Sequence, residues 1–164
     1  MGKRSDFEKV EKDKYYTTDF RAVAPLIDFV AGCTYYEPCA GNGDLINLLV
    51  SAICLGSSDE ELDARTTKYD TKAEYFITNP PWTRNLLHPI IENLRGQKPT
   101  WLLFDSDWMF TKQSEQYIKY CEKIIAVGRV RWIADSKYDG KDNCAWYFFV
   151  DHPTTTQFFG RAEL

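Results

Sequence analysis

The sequence has no apolar run long enough to cross a lipid bilayer, and its first residues lack the apolar core of a signal peptide. Metal ligands are scarce, because the chain has two histidines, His88 and His152, and five widely spaced cysteines without a C-x-x-C pair. These absences argue against a membrane protein, a disulfide scaffold and a zinc site. They favour a reduced, cytoplasmic compartment and a protein without a bound metal.

An excess of positive charge is also missing. The formal net charge of the 164 residues is -4, which does not by itself predict a nucleic-acid-binding protein. Aromatic residues reach 15%, a high share for a chain of this size, and those that the core does not use could stack on nucleotide bases. Repeats, linkers and low-complexity tracts are absent, so the length suits one domain with one core.

One stretch combines groups that suit a flat amino group. The apolar run at residues 75–77 predicts a buried strand, and Asn79-Pro80-Pro81-Trp82 follows soon after it. Neither proline can donate an N–H, so the strand ends there and the carbonyls of Asn79 and Pro80 lack strand partners. A side-chain amide, carbonyl acceptors and a large aromatic ring therefore meet at one strand end.

A second stretch predicts a tight turn between a strand and a helix. A short strand ends at Glu37, Gly41 and Gly43 follow, and the apolar run at residues 45–50 predicts a helix. Glycines adopt positive φ and let the backbone approach a ligand closely. No Gly-Lys-Ser/Thr follows, so the turn is not a Walker loop, and the acidic residue at the strand end suits a cationic ligand.

Together the two stretches resemble the S-adenosylmethionine-dependent amino-methyltransferases, a family that methylates N6 of adenine in DNA or RNA, with relatives that methylate N4 of cytosine or a glutamine amide. Asn-Pro-Pro-Trp looks like the catalytic tetrapeptide of that family, and residues 37–43 look like its cofactor motif. The resemblance, which covers residues 14 to about 150, implies an α/β class I (Rossmann-like) fold. Such a fold is a doubly wound, mostly parallel sheet with helices on both faces. Residues 1–13 would be an N-terminal arm and residues 14–164 one methyltransferase domain.

The resemblance also implies roles for particular residues. In the tetrapeptide Asn79, Pro80, Pro81 and Trp82 would be catalytic: the Asn79 side chain and the Pro80 carbonyl would accept the amino hydrogens, and Trp82 would stack on a flipped or single-stranded base. The cofactor would be S-adenosylmethionine. The residues implied to bind it are Lys14, Tyr16, Thr17, Glu37, Pro38, Cys39, Ala40, Gly41, Gly43, Asp44, Asp59, Asp70 and Asn79.

Three of the acidic residues have more specific assignments. Asp59, or Asp63 as the alternative, would hold the ribose hydroxyls, because a carboxylate offers two acceptor oxygens to a vicinal diol. Asp70 would accept a hydrogen bond from the adenine amino group of the cofactor.

In addition to Trp82, the candidates for binding the substrate are Asp105, Trp108 and Asn143, which lie near strand ends. Each polar candidate also has a structural alternative as a cap or turn residue.

The favoured acceptor is N6 of adenine in DNA. The same motifs would serve RNA adenine, cytosine N4 or a protein glutamine, and an alternative of another class is a non-catalytic module that binds the cofactor or nucleic acid. No insertion is large enough for a separate target-recognition domain, so sequence specificity would come from short loops or from a partner protein, or would be absent. In this compactness the chain is similar to the methyltransferase-like proteins of phages and prophages. The oligomeric state is left open.

The rest of the chain alternates helices and strands. Apolar spacing predicts helices at residues 22–30, with Thr18 or Asp19 as the N-cap, at 86–94 and at 113–121. It also predicts strands ending near Asp59, at 101–104, at 124–127 and 130–133 as one long or two short strands, and, last, at 144–150. Alternating elements predict a parallel sheet covered on both faces. A ligand site would then lie beyond the carboxyl ends of the strands, where the strand order reverses.

Overall fold

The computed structural model describes residues 13–162, so the predicted N-terminal arm lies outside the described residues except for Asp13. A seven-stranded sheet forms its centre. In chain order the strands are β1 (Thr34–Glu37), β2 (Ile53–Ser57), β3 (Tyr75–Thr78), β4 (Thr100–Asp105), β5 (Cys121–Arg129), β6 (Asn143–Phe149) and β7 (Gln157–Phe159). The helices are α1 (Ile27–Val30), α2 (Asp44–Leu48), α3 (Arg84–Arg95) and α4 (Glu115–Ile118), with 3₁₀ turns at Phe20–Ala22, Ala24–Leu26, Ser106–Phe110 and Lys112–Ser114.

The sheet is mostly parallel and doubly wound. Its spatial order is β2-β1-β3-β4-β6-β5-β7, and β6 runs antiparallel between β4 and β5. The chain passes from β1 outward to β2 and then places β3 on the other side of β1. The strand order therefore reverses between β1 and β3, which is where an open α/β sheet forms its ligand crevice.

Burial explains the composition of the central elements. The middle of β4 is fully buried, as expected of a strand covered on both faces, and Trp101 is 2% exposed. The longest helix, α3, buries Leu87, Ile90, Ile91 and Leu94, which share one helical face, and it ends before Gly96. No helix among residues 13–162 has both the length and the apolar character needed to cross a bilayer.

Several predicted elements are confirmed. The strand before Asp59 is β2, the helix at 86–94 lies within α3, and the strand at 144–150 corresponds to β6. Asp19 is the N-cap of the first 3₁₀ turn, where its side chain accepts from the backbone N–H of Arg21 at 3.0 Å.

Other boundaries were wrong. The predicted helix at 22–30 is reduced to two 3₁₀ turns and α1, since Pro25 has no N–H for a helical hydrogen bond. Residues 130–133 do not form a strand, and Val130 and Trp132 are buried from an irregular segment instead. The predicted helix at 113–121 shrinks to a 3₁₀ turn and α4, because β5 already begins at Cys121. β7 was not predicted, because its three residues are too few to show an alternating pattern.

Candidate functional site

A cavity of about 320 Å³ lies beyond the carboxyl ends of β1 and β3. Five segments of the chain contribute to its wall: residues 13–17, the turn from Glu37 to Leu45, residues 59–65 after β2, the turn after β3, and Leu86 and Ile90 of α3. Its volume is within the range of small-molecule sites, about 300–1,000 Å³. The cavity therefore occupies the point of strand reversal that the sheet order identifies.

The glycine turn requires glycine for two reasons. Gly41 has a φ of 52° and Gly43 a φ of 80°, both in the left-handed region. A Cβ atom on Gly41 would lie 2.7 Å from the ring of Tyr16, whereas one on Gly43 would meet no atom within 4 Å. The turn therefore combines an unusual backbone conformation with a close approach by an aromatic ring.

Gly41→Ala is expected to lower the free energy of unfolding more than Gly43→Ala. Each change carries the backbone cost of a left-handed alanine, about 1–2 kcal/mol, but only alanine at 41 also displaces Tyr16. Chemical denaturation of both variants measures the difference, and Gly43→Ala is the matched control. Equal losses would contradict the contact between Tyr16 and the turn.

Glu37 is a buried acid in the cavity wall. Glu37 is 1% exposed, and its Oε1 accepts a hydrogen bond from the Thr78 hydroxyl at 2.5 Å. Among the described residues Oε2 has no hydrogen-bond partner. Burial raises the pKa of Glu37 well above its usual value, and the Thr78 hydrogen bond opposes that shift only in part. A carboxyl in this state would be stabilised in its charged form by a cation.

Asp59 links the end of β2 to the glycine turn. Its Oδ1 accepts from the backbone N–H of Gly41 at 3.1 Å, and its Oδ2 makes no hydrogen bond with residues 13–162. Asp63 also lines the cavity, but its carboxylate is paired with Arg65 at 2.8 Å. The geometry therefore favours Asp59 over Asp63 for holding a ligand hydroxyl.

Three hydrogen bonds orient the Asn79 side chain. Its Nδ2 donates to the Tyr15 carbonyl at 2.5 Å and to Thr17 Oγ1 at 3.2 Å. Its Oδ1 accepts from the indole N–H of Trp82 at 3.0 Å and keeps a second lone pair. In the part of the chain that the structure describes, no hydrogen bond reaches the Pro80 carbonyl. Two acceptor oxygens of this turn can therefore receive further hydrogens.

The ring of Trp82 is covered. Trp82 is 9% exposed, and its indole N–H also donates to the Leu103 carbonyl at 3.1 Å. Tyr15 stacks on it with ring centroids 4.7 Å apart and planes 22° apart, and Trp132 contacts it edge-on at 5.4 Å. A tyrosine ring is thus already stacked on Trp82, the residue predicted to stack on a base.

Residues 13–17, which we call the strap, bridge the two turns. The Asp13 carboxylate accepts from the backbone N–H groups of Trp82 and Thr83, both at 2.9 Å, and from the Thr83 hydroxyl. Tyr16 contacts Gly41 on the other side. Asp13 and Tyr15 were not predicted as site residues, because no local pattern relates them to residues so far along the chain.

Comparison with known proteins agrees with this architecture. No protein-family model matches the sequence, and no curated protein matches it either. Solved structures do match. A Listeria monocytogenes protein assigned to the class I S-adenosylmethionine-dependent methyltransferases aligns over 92% of this chain with a TM-score of 0.56 and 7% identity. The methyltransferase subunit of a type I restriction-modification system from Streptococcus thermophilus aligns over 92% with a TM-score of 0.52 and 11% identity.

A dimethyladenosine transferase from Plasmodium falciparum aligns over 82% of the chain, with a TM-score of 0.50 and 13% identity. The chain has the class I methyltransferase fold. It spans 67% of the Listeria protein, 48% of the Streptococcus subunit and 59% of the Plasmodium transferase, so all three are longer than this chain.

Within this methyltransferase fold the cavity collects most of the predicted cofactor residues. Eleven of the thirteen line it, and these are Lys14, Tyr16, Thr17, Glu37, Pro38, Cys39, Ala40, Gly41, Asp44, Asp59 and Asn79. Gly43 lies outside the lining as the N-cap of α2. Asp70 is exposed and does not line the cavity, because the neighbouring Tyr69 packs inward against Phe76 and leaves Asp70 facing solvent.

The residues that the sequence predicted to bind the substrate do not line the cavity. Trp108 is fully buried, and its indole N–H donates to His88 Nε2 at 3.0 Å, so it is a core residue in this structure. Asn143 is exposed at the start of β6. Asp105 accepts two hydrogen bonds from Arg84, at 2.8 and 2.9 Å. Composition alone cannot separate a core tryptophan from one that binds a base.

Arg84 is a supporting residue that the sequence analysis did not identify. Besides its pair with Asp105, its guanidinium donates to the Trp82 carbonyl at 3.1 Å. The charged pair therefore also holds the turn after β3, and Asp105 acts on that turn through Arg84.

Proposed function

We propose that the chain is an S-adenosylmethionine-dependent methyltransferase that acts on an exocyclic amino nitrogen, with N6 of adenine in DNA as the favoured acceptor. One observation carries the proposal: the glycine turn and Asn79 contribute to the wall of the same cavity. The two motifs come from different strands, and the strand order brings them together at the point where this fold class binds ligands.

The residues of the cavity fit a cationic cofactor. Two basic side chains, Lys14 and Arg65, face six acidic ones in the lining, which are Asp13, Glu37, Asp44, Asp59, Glu60 and Asp63. S-adenosylmethionine carries a sulfonium and an ammonium group, for which a buried carboxyl without a partner for Oε2 is a suitable neighbour. Asp59 Oδ2 would accept from a ribose hydroxyl. When bound, the cofactor supplies a methyl group that its sulfonium makes electrophilic.

The turn after β3 would activate the acceptor. An exocyclic amino nitrogen is a weak nucleophile, because its lone pair is delocalised into the ring. Asn79 Oδ1 and the Pro80 carbonyl would accept its two hydrogens, which shifts electron density onto the nitrogen and favours its pyramidal form. Both acceptors are preorganised, since hydrogen bonds fix the Asn79 amide and Asp13 holds the turn at Trp82.

We favour adenine in DNA as the acceptor because the glycine turn and the Asn-Pro-Pro-Trp turn occur together. Two similar structures are named as a restriction-modification methyltransferase subunit and a dimethyladenosine transferase. RNA adenine, cytosine N4 and a protein glutamine are the alternatives with the same chemistry. Recognition of a DNA sequence would then depend on short loops or on a separate specificity partner. The five cysteines are free thiols. A phage or prophage origin and a cytoplasmic location remain predictions.

The test is transfer of tritiated methyl groups from S-adenosylmethionine to DNA, RNA and a protein extract in parallel. We expect label in DNA, recovered as N6-methyladenine after digestion. Label confined to RNA or protein would select one of the alternative acceptors. Cofactor binding without any transfer would identify a non-catalytic module, and the absence of cofactor binding would overturn the proposal.

Trp82→Ala is expected to weaken binding of a single-stranded oligonucleotide by less than the value of about 1–3 kcal/mol for one base stacked on an open aromatic ring, because a base must first displace the Tyr15 ring from Trp82. Trp82→Phe is the matched control, because it keeps a ring but loses the indole N–H bonds to Asn79 and Leu103. KM for the oligonucleotide measures the effect. In a Tyr15→Ala background no ring has to be displaced, so Trp82→Ala should there cost the full value of about 1–3 kcal/mol, and an unchanged KM would show that no base stacks on Trp82.

A further inference from the structure

The side chain of Tyr15 occupies the place where an acceptor base is expected to stack. Its centroid separation of 4.7 Å and interplanar angle of 22° relative to Trp82 are those of an offset aromatic stack. Trp132 contacts both rings edge-on, at 5.5 Å from Tyr15 and 5.4 Å from Trp82. Any group that stacks on Trp82 from this side must therefore take the position of the Tyr15 ring.

The main chain around Tyr15 is fixed independently of its ring. The Tyr15 carbonyl accepts from Asn79 Nδ2, and Asp13 is bound to the backbone N–H groups of Trp82 and Thr83. Two residues after Tyr15, Thr17 is 3% exposed and also contacts Asn79. Because none of these bonds uses the phenol ring, the side chain can rotate away while the strap stays bound to the turn.

We propose that Tyr15 is a specificity-determining residue, whose ring covers Trp82 until a planar aromatic acceptor displaces it. This inference rests on the proposed function, since it takes the acceptor to bind beside Asn79 and Trp82. Displacement of Tyr15 loses one aromatic stack. A nucleobase restores that stack with its own π-face, whereas the side-chain amide of glutamine cannot. Among acceptors whose amino group Asn79 and Pro80 could orient equally, Tyr15 therefore selects the aromatic ones.

The experiment measures binding of a single-stranded oligonucleotide that contains 2-aminopurine, whose fluorescence is quenched when the base stacks. Wild-type protein is compared with Tyr15→Ala, which removes the ring, and with Tyr15→Phe, the matched control that keeps it. We expect Tyr15→Ala to bind about three- to tenfold more tightly than wild type, the range that corresponds to one aromatic pair. Tyr15→Phe should bind within about twofold of wild type, and adding Trp82→Ala to Tyr15→Ala should abolish the gain.

Tyr15→Leu is a second variant without an aromatic ring, and it preserves much of the side-chain volume if alanine destabilises the strap. Equal or weaker probe binding by the folded ring-free variants would overturn the inference, because Tyr15 would then not compete with a base. Failure of every protein to bind the probe would overturn it too, since the uncovered face of Trp82 would accept no base.

The outcome can be separated from that of the proposed function, because probe binding requires neither cofactor nor methyl transfer. If the protein does not bind S-adenosylmethionine but a ring-free variant still gains probe binding, the inference about Tyr15 holds and the proposed activity does not. In a protein that transfers methyl groups, Tyr15→Ala should lower KM for the oligonucleotide by a larger factor than it changes KM for the cofactor, whose cavity Tyr15 also lines.

Discussion

Asn79→Ala is expected to reduce kcat for methyl transfer by about 10²–10³-fold, the usual consequence of removing one preorganised polar group from a reacting centre. Alanine deletes the Oδ1 acceptor that would hold one amino hydrogen. The indole N–H of Trp82 keeps its bond to the Leu103 carbonyl, so the ring does not lose its last acceptor. Rates with saturating acceptor and cofactor measure the effect, and undiminished activity would remove Asn79 from the mechanism.

A matched variant separates the two sides of the Asn79 amide. Asn79→Asp keeps an acceptor oxygen toward Trp82 but loses the Nδ2 donor to Tyr15 and Thr17. If the acceptor matters most, the aspartate variant should be at least about tenfold faster than the alanine variant. Equal losses would show that Asn79 acts chiefly by anchoring the strap, and the acceptor role would have to be abandoned.

Glu37→Gln is expected to have opposite effects on stability and on cofactor binding. Glutamine can still accept from Thr78 and is nearly isosteric, but it carries no charge that burial would disfavour. We expect its free energy of unfolding at neutral pH to rise by roughly 1–3 kcal/mol. Affinity for S-adenosylmethionine should fall at least about 30-fold, since a buried carboxylate paired with a cation is worth about 2 kcal/mol or more.

The pH dependence of this effect has a definite sign. Burial raises the pKa of Glu37 in the folded protein above its unfolded value near 4.5, so the folded state binds more protons in that interval. Relative to Glu37→Gln, the wild-type protein should therefore lose stability as pH rises above about 4.5, until the raised folded pKa has been passed. A bound cation would lower the pKa of Glu37 again, so cofactor binding should release a proton and strengthen as pH rises.

Glu60→Gln is the matched control for these measurements, because Glu60 lines the same cavity but is exposed. Because Glu37 is intact in this variant, its proton release on cofactor binding should exceed that of Glu37→Gln. Denaturation at several pH values and calorimetry in buffers of different ionisation enthalpy measure stability and proton release. If wild-type protein and Glu37→Gln show the same proton release, Glu37 does not face the cationic group.

The residues of the site differ in how far the sequence could predict them. The glycine turn was predictable because residues 37–43 follow a strand and precede a helix, a local arrangement that limits the backbone to a few conformations. The position of Asp70 outside the cavity was not predictable, because its exposure depends on how Tyr69 packs in the core. Trp108 was assigned to substrate binding from its position after a strand. Its burial in the core depends instead on its hydrogen bond to His88 and on packing against the surrounding rings.

By itself the sequence determined the chemistry of two turns and the class of the sheet. Pro80 and Pro81 cannot extend β3, and Gly41 and Gly43 permit positive φ, so both statements follow from covalent structure at adjacent positions. Only the tertiary structure decided that the strap spans both turns and that Tyr15 lies on Trp82. The contacts of the strap with the turn after β3 join groups more than 60 residues apart, and no periodicity of the chain encodes which aromatic ring will cover another.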